Sequence, residues 1–277
     1  MSERKVALIR DSKPTIEGAG VHLRRAFSHD DVNLDPFLLL DDFHSNNPED
    51  YMAGFPWHPH RGIETVTYVL NGAVEHQDSL GNKGIIKSGD VQWMTAGSGI
   101  VHHEMPQKSK LMQGFQLWIN LPAKKKMTDP KYRDIKSSQI PEVKISDGVT
   151  VKVIAGKSGN AKGPVKDLNV DVEYFHIKMK SNARLKLITN KDYSTFVYVI
   201  KGKIASDGKE INEMQLAIFS DGDNAGIDAK ENSEFIFVSG KPLKEPVAWH
   251  GPIVMNTQEQ LEQAFRELEN NTFIKKK

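Results

Sequence analysis

The segment FPWHPHRGIETVTYVLNG, Phe55–Gly72, places two histidines directly before a run in which polar and apolar residues alternate. Alternation with a period of two is typical of a β-strand that buries one face, and the Asn-Gly pair at its end is a turn signal. Side chains two residues apart on a strand point to the same side, so His58 and His60 can converge on one ion. The segment therefore predicts a metal site on a strand, provided that another part of the chain supplies the remaining ligands.

Short segments of the same kind recur through the chain and are separated by Gly, Asn, Asp and Ser. They include GFQLWINL (Gly114–Leu121), VTVKVIAG (Val149–Gly156), VDVEYFHIKM (Val170–Met179) and STFVYVIKGKI (Ser194–Ile204). Several short alternating strands predict an all-β sandwich or barrel. The similar stretches YVLNGAV (Tyr68–Val74) and YVIKGKI (Tyr198–Ile204) also indicate a duplicated β domain.

One segment lacks this alternation and is interpreted as a linker. AKKKMTDPKYRDIKSSQIPEVKI (Ala123–Ile145) is charged and contains two prolines. We therefore expect two β domains, residues 1–135 and residues 136–277.

A single helix is predicted near the C-terminus, in NTQEQLEQAFREL (Asn256–Leu268). Thr257 and Gln260 have the spacing of a capping box at a helix start. Leu261, Phe265 and Leu268 share one face of such a helix, so we expect it to pack on the second β domain.

Composition excludes several classes of function. The 37 lysines and arginines nearly balance the 36 aspartates and glutamates, so no direct binding of nucleic acid is expected. The chain has no cysteine, and any metal must be held by nitrogen and oxygen atoms. No stretch reads as a signal peptide or a membrane span, which predicts a soluble, cytoplasmic protein. We expect it to be a monomer.

Eight of the ten histidines lie before residue 104, so the first half carries the candidate chemistry. The segment TAGSGIVHHEMP (Thr95–Pro106) supplies a second pair two residues apart, His102 and Glu104, while His103 faces away. Two neighbouring strands with such pairs would offer three imidazoles and one carboxylate. The remaining histidines of this half are isolated and are expected to be ordinary: His22, His29, His44 and His76.

The residues alone leave two candidates for the carboxylate ligand. Glu64 follows His60 by four residues, and HPHRGIETVTYVLNG resembles the general cupin pattern with one extra residue before Gly72. In that pattern the corresponding glutamate is often a ligand. Glu64 and Glu104 therefore both remain possible at this point.

Longer stretches resemble the pirin family. They are LDPFLLLDDF (Leu34–Phe43), HPHRGIETVTYVLNG (His58–Gly72), GDVQWMTAGSGIVHHEMP (Gly89–Pro106), QLWINLPAKKKMTDPKYRDI (Gln116–Ile135) and GPIVMNTQEQLEQAF (Gly251–Phe265). The resemblance is dense over residues 20–135, returns at the C-terminal helix and is loose between them. It implies an all-β fold of two cupin domains, jelly-roll-like β-barrels in tandem, with a C-terminal helix.

The resemblance also implies a ligand set and an activity. The first cupin domain of pirins holds one metal, usually iron, through residues that correspond here to His58, His60, His102 and Glu104. Glu64 then becomes a neighbour that is not a ligand, and the second cupin domain has no metal site. Such ligands suit Fe(II), and also Mn, Co, Ni, Cu or Zn.

Some pirins are similar in activity to quercetin 2,3-dioxygenases, which open the flavonol ring with O₂ and release carbon monoxide. The resemblance thus implies a flavonol-like substrate, with Glu104 as the catalytic base. The predicted aromatic pocket consists of Phe43, Phe55, Trp57, Met94, Phe115 and Trp118. The alternative is a redox-sensing metal protein that regulates transcription or metabolism through a protein partner.

Overall fold

The structure, a computed structural model, describes residues 2–275 and consists almost entirely of β-strands. The first twelve strands are β1 Val6–Asp11, β2 Lys13–Glu17, β3 Val21–Ser28, β4 Phe37–Ser45, β5 Phe55–His60, β6 Ile63–Asn71, β7 Ala73–Asp78, β8 Lys83–Lys87, β9 Val91–Thr95, β10 Ile100–Pro106, β11 Met112–Asn120 and β12 Lys131–Ile135. In the part of the chain that the structure describes, no helix has the length and apolarity that crossing a membrane requires.

The second half continues in the same way and ends in one α-helix. Its elements are β13 Glu142–Ser146, β14 Val149–Ala155, β15 Lys157–Ser158, β16 Ala161–Lys162, β17 Val172–Met179, β18 Arg184–Ile188, β19 Ser194–Lys201, β20 Lys203–Ser206, β21 Lys209–Asn212, β22 Gln215–Phe219, β23 Asn224–Ala229, β24 Ser233–Gly240, β25 Ala248–His250, β26 Ile253–Met255 and α1 Gln258–Glu269. Three short 3₁₀ helices lie at Pro48–Asp50, Ala123–Lys125 and Ser137–Gln139.

The strands form two compact units with the same pair of sheets. The first unit has a seven-stranded sheet, β12-β9-β6-β11-β4-β3-β2, and a four-stranded sheet, β5-β10-β7-β8. The second unit has a seven-stranded sheet, β1-β22-β19-β24-β17-β14-β13, and a four-stranded sheet, β18-β23-β20-β21. The predicted all-β class, with a duplicated β domain, is confirmed.

The two units are discontinuous in sequence. The first unit comprises Pro14–Arg25, Phe37–Ser137 and the chain from Leu243 onward, and the second comprises the chain up to Lys13, Ala26–Pro36 and Ser138–Pro242. The expected division after residue 135 assigns each chain end to its own half, whereas here the N-terminal residues belong to the second unit and the C-terminal residues to the first. Strand β1 pairs with β22, and the backbone of Val254 bonds to Arg61, so each terminus joins the other half.

The repeated turns occupy equivalent places in the two units. Gly72 separates β6 from β7, and Gly202 separates β19 from β20, so each links the seven-stranded sheet to the four-stranded one. Both glycines have positive φ, 90° and 75°, a conformation that side chains with a Cβ adopt poorly. The similarity of YVLNGAV and YVIKGKI thus reflects one turn used twice.

The segment Ala123–Ile145 is not the structureless linker that its composition predicts. Lys131–Ile135 pairs with β9 at the edge of the first unit's large sheet, and Glu142–Ser146 pairs with β14 at the edge of the second unit's. Edge strands tolerate charge and adjacent prolines, because one side of the strand is unpaired. For this reason the segment lacks the alternation of a half-buried strand.

The C-terminal helix forms as predicted. The Thr257 side chain caps it by accepting a hydrogen bond from the backbone of Gln260 at 3.3 Å, and Leu261 is buried against Ile253 and Phe273. These contacts lie within the first unit, although the sequence suggested docking on the second. The helix lies with the first unit because β25 and β26, which precede it, return there.

The four-stranded sheets of the two units differ in the polarity of the side chains that they bury. In the second unit Leu185 and Leu187 of β18 are buried opposite Ile227 and Ala225 of β23. In the first unit the equivalent strands, β5 and β10, carry histidines instead. The interior of the second unit is therefore an apolar core, whereas the first unit has polar side chains at the same place.

Candidate metal centre

Strands β5 and β10 bring the two histidine-bearing segments together. They pair antiparallel with His102 directly opposite His58, so three imidazoles gather on one side of the small sheet. The Nε2 atom of His58 lies 3.1 Å from Nε2 of His60 and 2.9 Å from Nε2 of His102. His60 and His102 are buried, and His58 is half-buried.

The outer ring nitrogens show how two of the imidazoles are protonated. Nδ1 of His58 lies 2.7 Å from the carbonyl oxygen of Pro56, and Nδ1 of His60 lies 3.2 Å from that of Pro252. A carbonyl oxygen only accepts hydrogen bonds, so both Nδ1 atoms carry the proton and both Nε2 atoms present lone pairs. Lone pairs this close repel one another unless a cation lies between them.

The spacing of these nitrogens fits a metal ion. Two nitrogens about 2.1 Å from one ion and at right angles lie about 3.0 Å apart, whereas tetrahedral positions lie about 3.4 Å apart. The observed 2.9 and 3.1 Å are close to the separation of two nitrogens that share one ion. Burial lowers the pKa of His60 and of His102 well below the ordinary value, and neighbouring histidines lower it further, so both rings are neutral and able to ligate.

Glu104 lies near the ring of His102, two residues further along β10. The register of β5 against β10 shifts between these two residues, at a β-bulge. The carboxylate of Glu104 accepts hydrogen bonds from the Thr67 hydroxyl at 2.9 Å and from Nε2 of Gln116 at 3.1 Å. The structure thus groups three predicted ligands directly and places the fourth within 4.8 Å of His102.

The competing glutamate has other partners. Glu64 is buried and accepts hydrogen bonds from the indole of Trp93 at 3.0 Å and the hydroxyl of Thr95 at 2.6 Å, across the large sheet. His103 points the other way from His102, stacking on Trp57 and contacting Gln77. In this structure neither side chain belongs to the two candidate ligand groups that the described residues form.

His76 is not isolated as its sequence position predicts, but lies beside the candidate centre. His76 is fully buried, and its ligand atom lies within 4.8 Å of those of His102 and Glu104. Strand β7 pairs with β10, which puts His76 opposite Glu104 across 28 positions of sequence. No spacing in the sequence signals this contact, because strand pairing alone creates it. His22, His29 and His44 lie outside both histidine groups that the described residues form.

A cavity of about 590 Å³ is lined by two of the three histidines, His58 and His60, and by Glu104. Four of the six predicted pocket residues line it, namely Phe43, Phe55, Trp57 and Trp118. Met94 and Phe115 are instead fully buried elsewhere in the unit, Met94 in an apolar cluster with Ile63. The wall also includes Trp249, which the sequence analysis missed because it returns from the far end of the chain.

The opposite wall of the cavity is charged. The guanidinium of Arg25 donates two hydrogen bonds of 2.8 Å to the buried carboxylate of Asp41, and it lies 3.0 Å from Glu17. All three line the cavity. A volume of this size that combines aromatic walls with charged and polar groups is typical of a site for a small organic molecule.

Comparison with known proteins identifies the family. The family model for pirin matches residues 20–119, and that for the pirin C-terminal cupin domain matches residues 174–274. A pirin-like protein of Caulobacter vibrioides is 40% identical over 277 residues, covering 99% of this chain and 100% of that protein. The chain belongs to the pirin family. Human pirin is 39% identical over 277 residues, covering 97% of this chain and 93% of that protein.

A solved structure shares the whole architecture of this pirin. The crystal structure of a quercetin 2,3-dioxygenase from Acinetobacter baumannii aligns with a TM-score of 0.92 and 34% identity, covering 98% of this chain and 99% of that one. The predicted tandem cupin domains with a C-terminal helix are thereby confirmed. The pirin match contains both strands of the candidate centre, and the C-terminal match contains α1.

Proposed function

We propose that this pirin is a metal-dependent dioxygenase that opens flavonols such as quercetin with O₂ and releases carbon monoxide. The proposed metal is Fe(II), and the proposed ligands are His58, His60, His102 and Glu104. The convergence of three imidazole Nε2 atoms beside an aromatic-walled cavity carries this proposal. The similarity to a quercetin dioxygenase over nearly the whole chain supports it.

The metal, when bound, would supply a Lewis acid for the substrate hydroxyl and a route for electrons from the flavonol to O₂. The protein would place the substrate. Trp118 stands edge-on to His60, with ring centroids 5.0 Å apart, and Trp249 lies 5.9 Å from Trp118. A flat aromatic ring system packed against the cavity-facing side of these indoles would reach the histidine group with its polar edge first.

Glu104 is the proposed general base. Thr67 donates to one oxygen of its carboxylate and Gln116 to the other, which fixes the plane of the group. Each oxygen keeps a lone pair, so the carboxylate can accept the proton of the flavonol 3-hydroxyl. Substrate deprotonation would then take place at a carboxylate in the wall of the cavity.

Loss of the flavonol absorption band is the direct measurement of this activity. We expect Fe(II)-loaded protein in air to consume quercetin and O₂ and to release carbon monoxide, all three in equal molar amounts. Under nitrogen we expect no loss of quercetin. His58→Ala/His60→Ala should lower the rate at least about 100-fold, because two ligands are removed. His22→Ala/His44→Ala removes two exposed histidines and serves as the matched control.

The outcomes separate the proposed function from its alternative. Equal activity in the two double variants would contradict the proposed ligands. A stoichiometrically bound metal without flavonol loss would exclude the dioxygenase and favour the redox-sensing binding protein.

A further inference from the structure

A chain of buried polar side chains leads away from the candidate metal centre. Nδ1 of His102 lies 3.4 Å from Nδ1 of His76, and Nε2 of His76 lies 3.5 Å from Oδ2 of Asp78. His76 and His102 are 0% exposed and Asp78 is 3% exposed. Strand β7 supplies both outer residues, and its register places Asp78 opposite His102 and His76 opposite Glu104.

His102 differs from the other two histidines in what its outer nitrogen faces. Backbone carbonyl oxygens face Nδ1 of His58 and of His60 and dictate which nitrogen is protonated. At His102 another imidazole takes this position. An imidazole nitrogen can donate or accept, so the protonation of His102 depends on that of His76.

Asp78 determines the protonation of His76. Oδ2 of Asp78 lies 3.5 Å from Nε2 of His76, and three N–H groups of Leu80 and Asn82 donate hydrogen bonds to the Asp78 carboxyl, which stabilises its ionised form. The backbone of Leu80 and both donors of Asn82 hold it at 2.8–3.0 Å. A carboxylate only accepts, so the His76 nitrogen that faces it carries the proton.

The proton positions along the chain then follow. With its proton on Nε2, His76 presents the lone pair of Nδ1 to His102. His102 must therefore donate a hydrogen bond from its Nδ1 to this lone pair. The Nε2 atom of His102, which faces His58, then keeps its own lone pair. Tyr132 stacks on the His76 ring, with centroids 4.9 Å apart and planes inclined by 27°, and so limits rotation of that ring.

We propose that Asp78 and His76 act as positioning residues that hold His102 in the tautomer able to ligate a metal. The inference rests on the proposed function insofar as His102 is taken as a ligand. Outer partners of this kind typically change metal affinity by about 10–100-fold. His76 is the one side chain, among the described residues, that hydrogen-bonds an outer nitrogen of the three histidines.

Cobalt(II) affinity, measured by competition with a chelator on the full chain, tests the proposal. His76→Leu removes the acceptor and should weaken binding by about 10–100-fold. Asp78→Asn keeps the shape but can donate to His76, which would put the proton of His102 on the wrong nitrogen, and should weaken binding similarly. His76→Asn keeps an acceptor near Nδ1 and should stay within about threefold of wild type.

The visible absorption of bound Co(II) gives a second readout that a purely structural effect would not move. We expect its bands to change in His76→Leu and Asp78→Asn and to remain in His76→Asn. His176→Leu is the matched control, because it removes a buried histidine beside a carboxylate, Glu234, in the second unit. It should lower the melting temperature of the metal-free protein without changing Co(II) affinity.

Failure of the inference and failure of the proposed site give different results. If His102→Ala binds Co(II) like wild type, His102 is not a ligand and the proposed site is wrong. If His102→Ala loses the ion while Asp78→Asn and His76→Leu retain wild-type affinity and spectrum, the site stands and the positioning role is overturned.

Discussion

His102 and His176 are both buried, but their neighbours give them different roles. His102 lies among other histidines, and burial together with those rings lowers its pKa well below the ordinary value. His176 contacts the carboxylate of Glu234 at 2.7 Å, which counteracts the lowering of its pKa by burial. Their surroundings make the first a candidate ligand and the second a hydrogen-bond partner of a carboxylate.

Glu173 shows the same dependence on surroundings in an acidic residue. Burial raises the pKa of its carboxyl to about 7, and nearby Asp171 adds to the effect. In the described part of the chain its Oε2 atom is buried without a hydrogen-bond partner. The folded protein therefore favours the protonated form of Glu173, whereas the pKa of this carboxyl in the unfolded chain has its ordinary value of about 4.5.

We predict that Glu173 destabilises the fold as the pH rises from about 4.5 to about 7. In that window the folded state binds more protons than the unfolded state, so the free energy of unfolding falls with pH. Glu173→Gln should remove this slope and raise the melting temperature at pH 8. Urea unfolding across pH 4–8 measures the slope, with exposed Glu213→Gln as the control. Parallel pH profiles for wild type and Glu173→Gln would contradict the prediction.

At the scale of elements, the turn between β5 and β6 lies between the candidate metal centre and the hairpin of β25 and β26, which it contacts. His60 ends β5, and Gly62 follows with φ +79°. A Cβ at Gly62 would lie 1.9 Å from the carbonyl oxygen of Val254 in β26. The same oxygen accepts a hydrogen bond from the buried ammonium of Lys126 at 2.8 Å. The close approach of β26 thus requires glycine at this turn.

Gly62→Ala should destabilise the protein by about 3 kcal/mol, the sum of left-handed strain and overpacking. Gly81 has a similar φ of +84° but open space around it, so Gly81→Ala should cost only the strain, about 1 kcal/mol. Chemical denaturation of both variants measures the difference. Equal losses would show that β26 does not constrain the turn.

At the scale of the whole molecule, one architecture occurs twice with different interiors. Equivalent strands carry His58 and His60 in the first unit and the buried residues Leu185 and Leu187 in the second. The first unit contains both candidate ligand groups found in the described residues. Duplication thus leaves one barrel with apolar packing and one with polar side chains that can bind an ion.

Metal binding should therefore protect the two units unequally. A ligand that binds only the folded state stabilises the elements that hold it, here β5 and β10. We expect amide hydrogen exchange in residues 55–60 and 100–106 to slow on addition of Co(II), and exchange in residues 184–188 and 224–229 to stay unchanged. His58→Ala/His60→Ala should abolish the difference. Slowing in the second unit alone would place the ion elsewhere.

The sequence by itself determined several of the strands, the repeated turn, the capped helix and the two pairs of candidate ligands. These features depend on residues close in sequence, since alternation fixes which side chains share a face and glycine marks a turn. The family resemblance, carried by long motifs, favoured Glu104 over Glu64. The structure gives Glu64 hydrogen-bond partners in Trp93 and Thr95 instead.

Only the tertiary structure decided which strands lie side by side. The pairing of β7 with β10 brought His76 to His102, and the return of the C-terminal segment supplied Trp249 and the Pro252 carbonyl. Pairing with β9 and with β14 turned parts of the charged segment Ala123–Ile145 into two edge strands. The physical reason is that hydrophobic periodicity fixes the face of a strand but not its neighbour, and neighbours far apart in sequence are set by packing of the whole barrel.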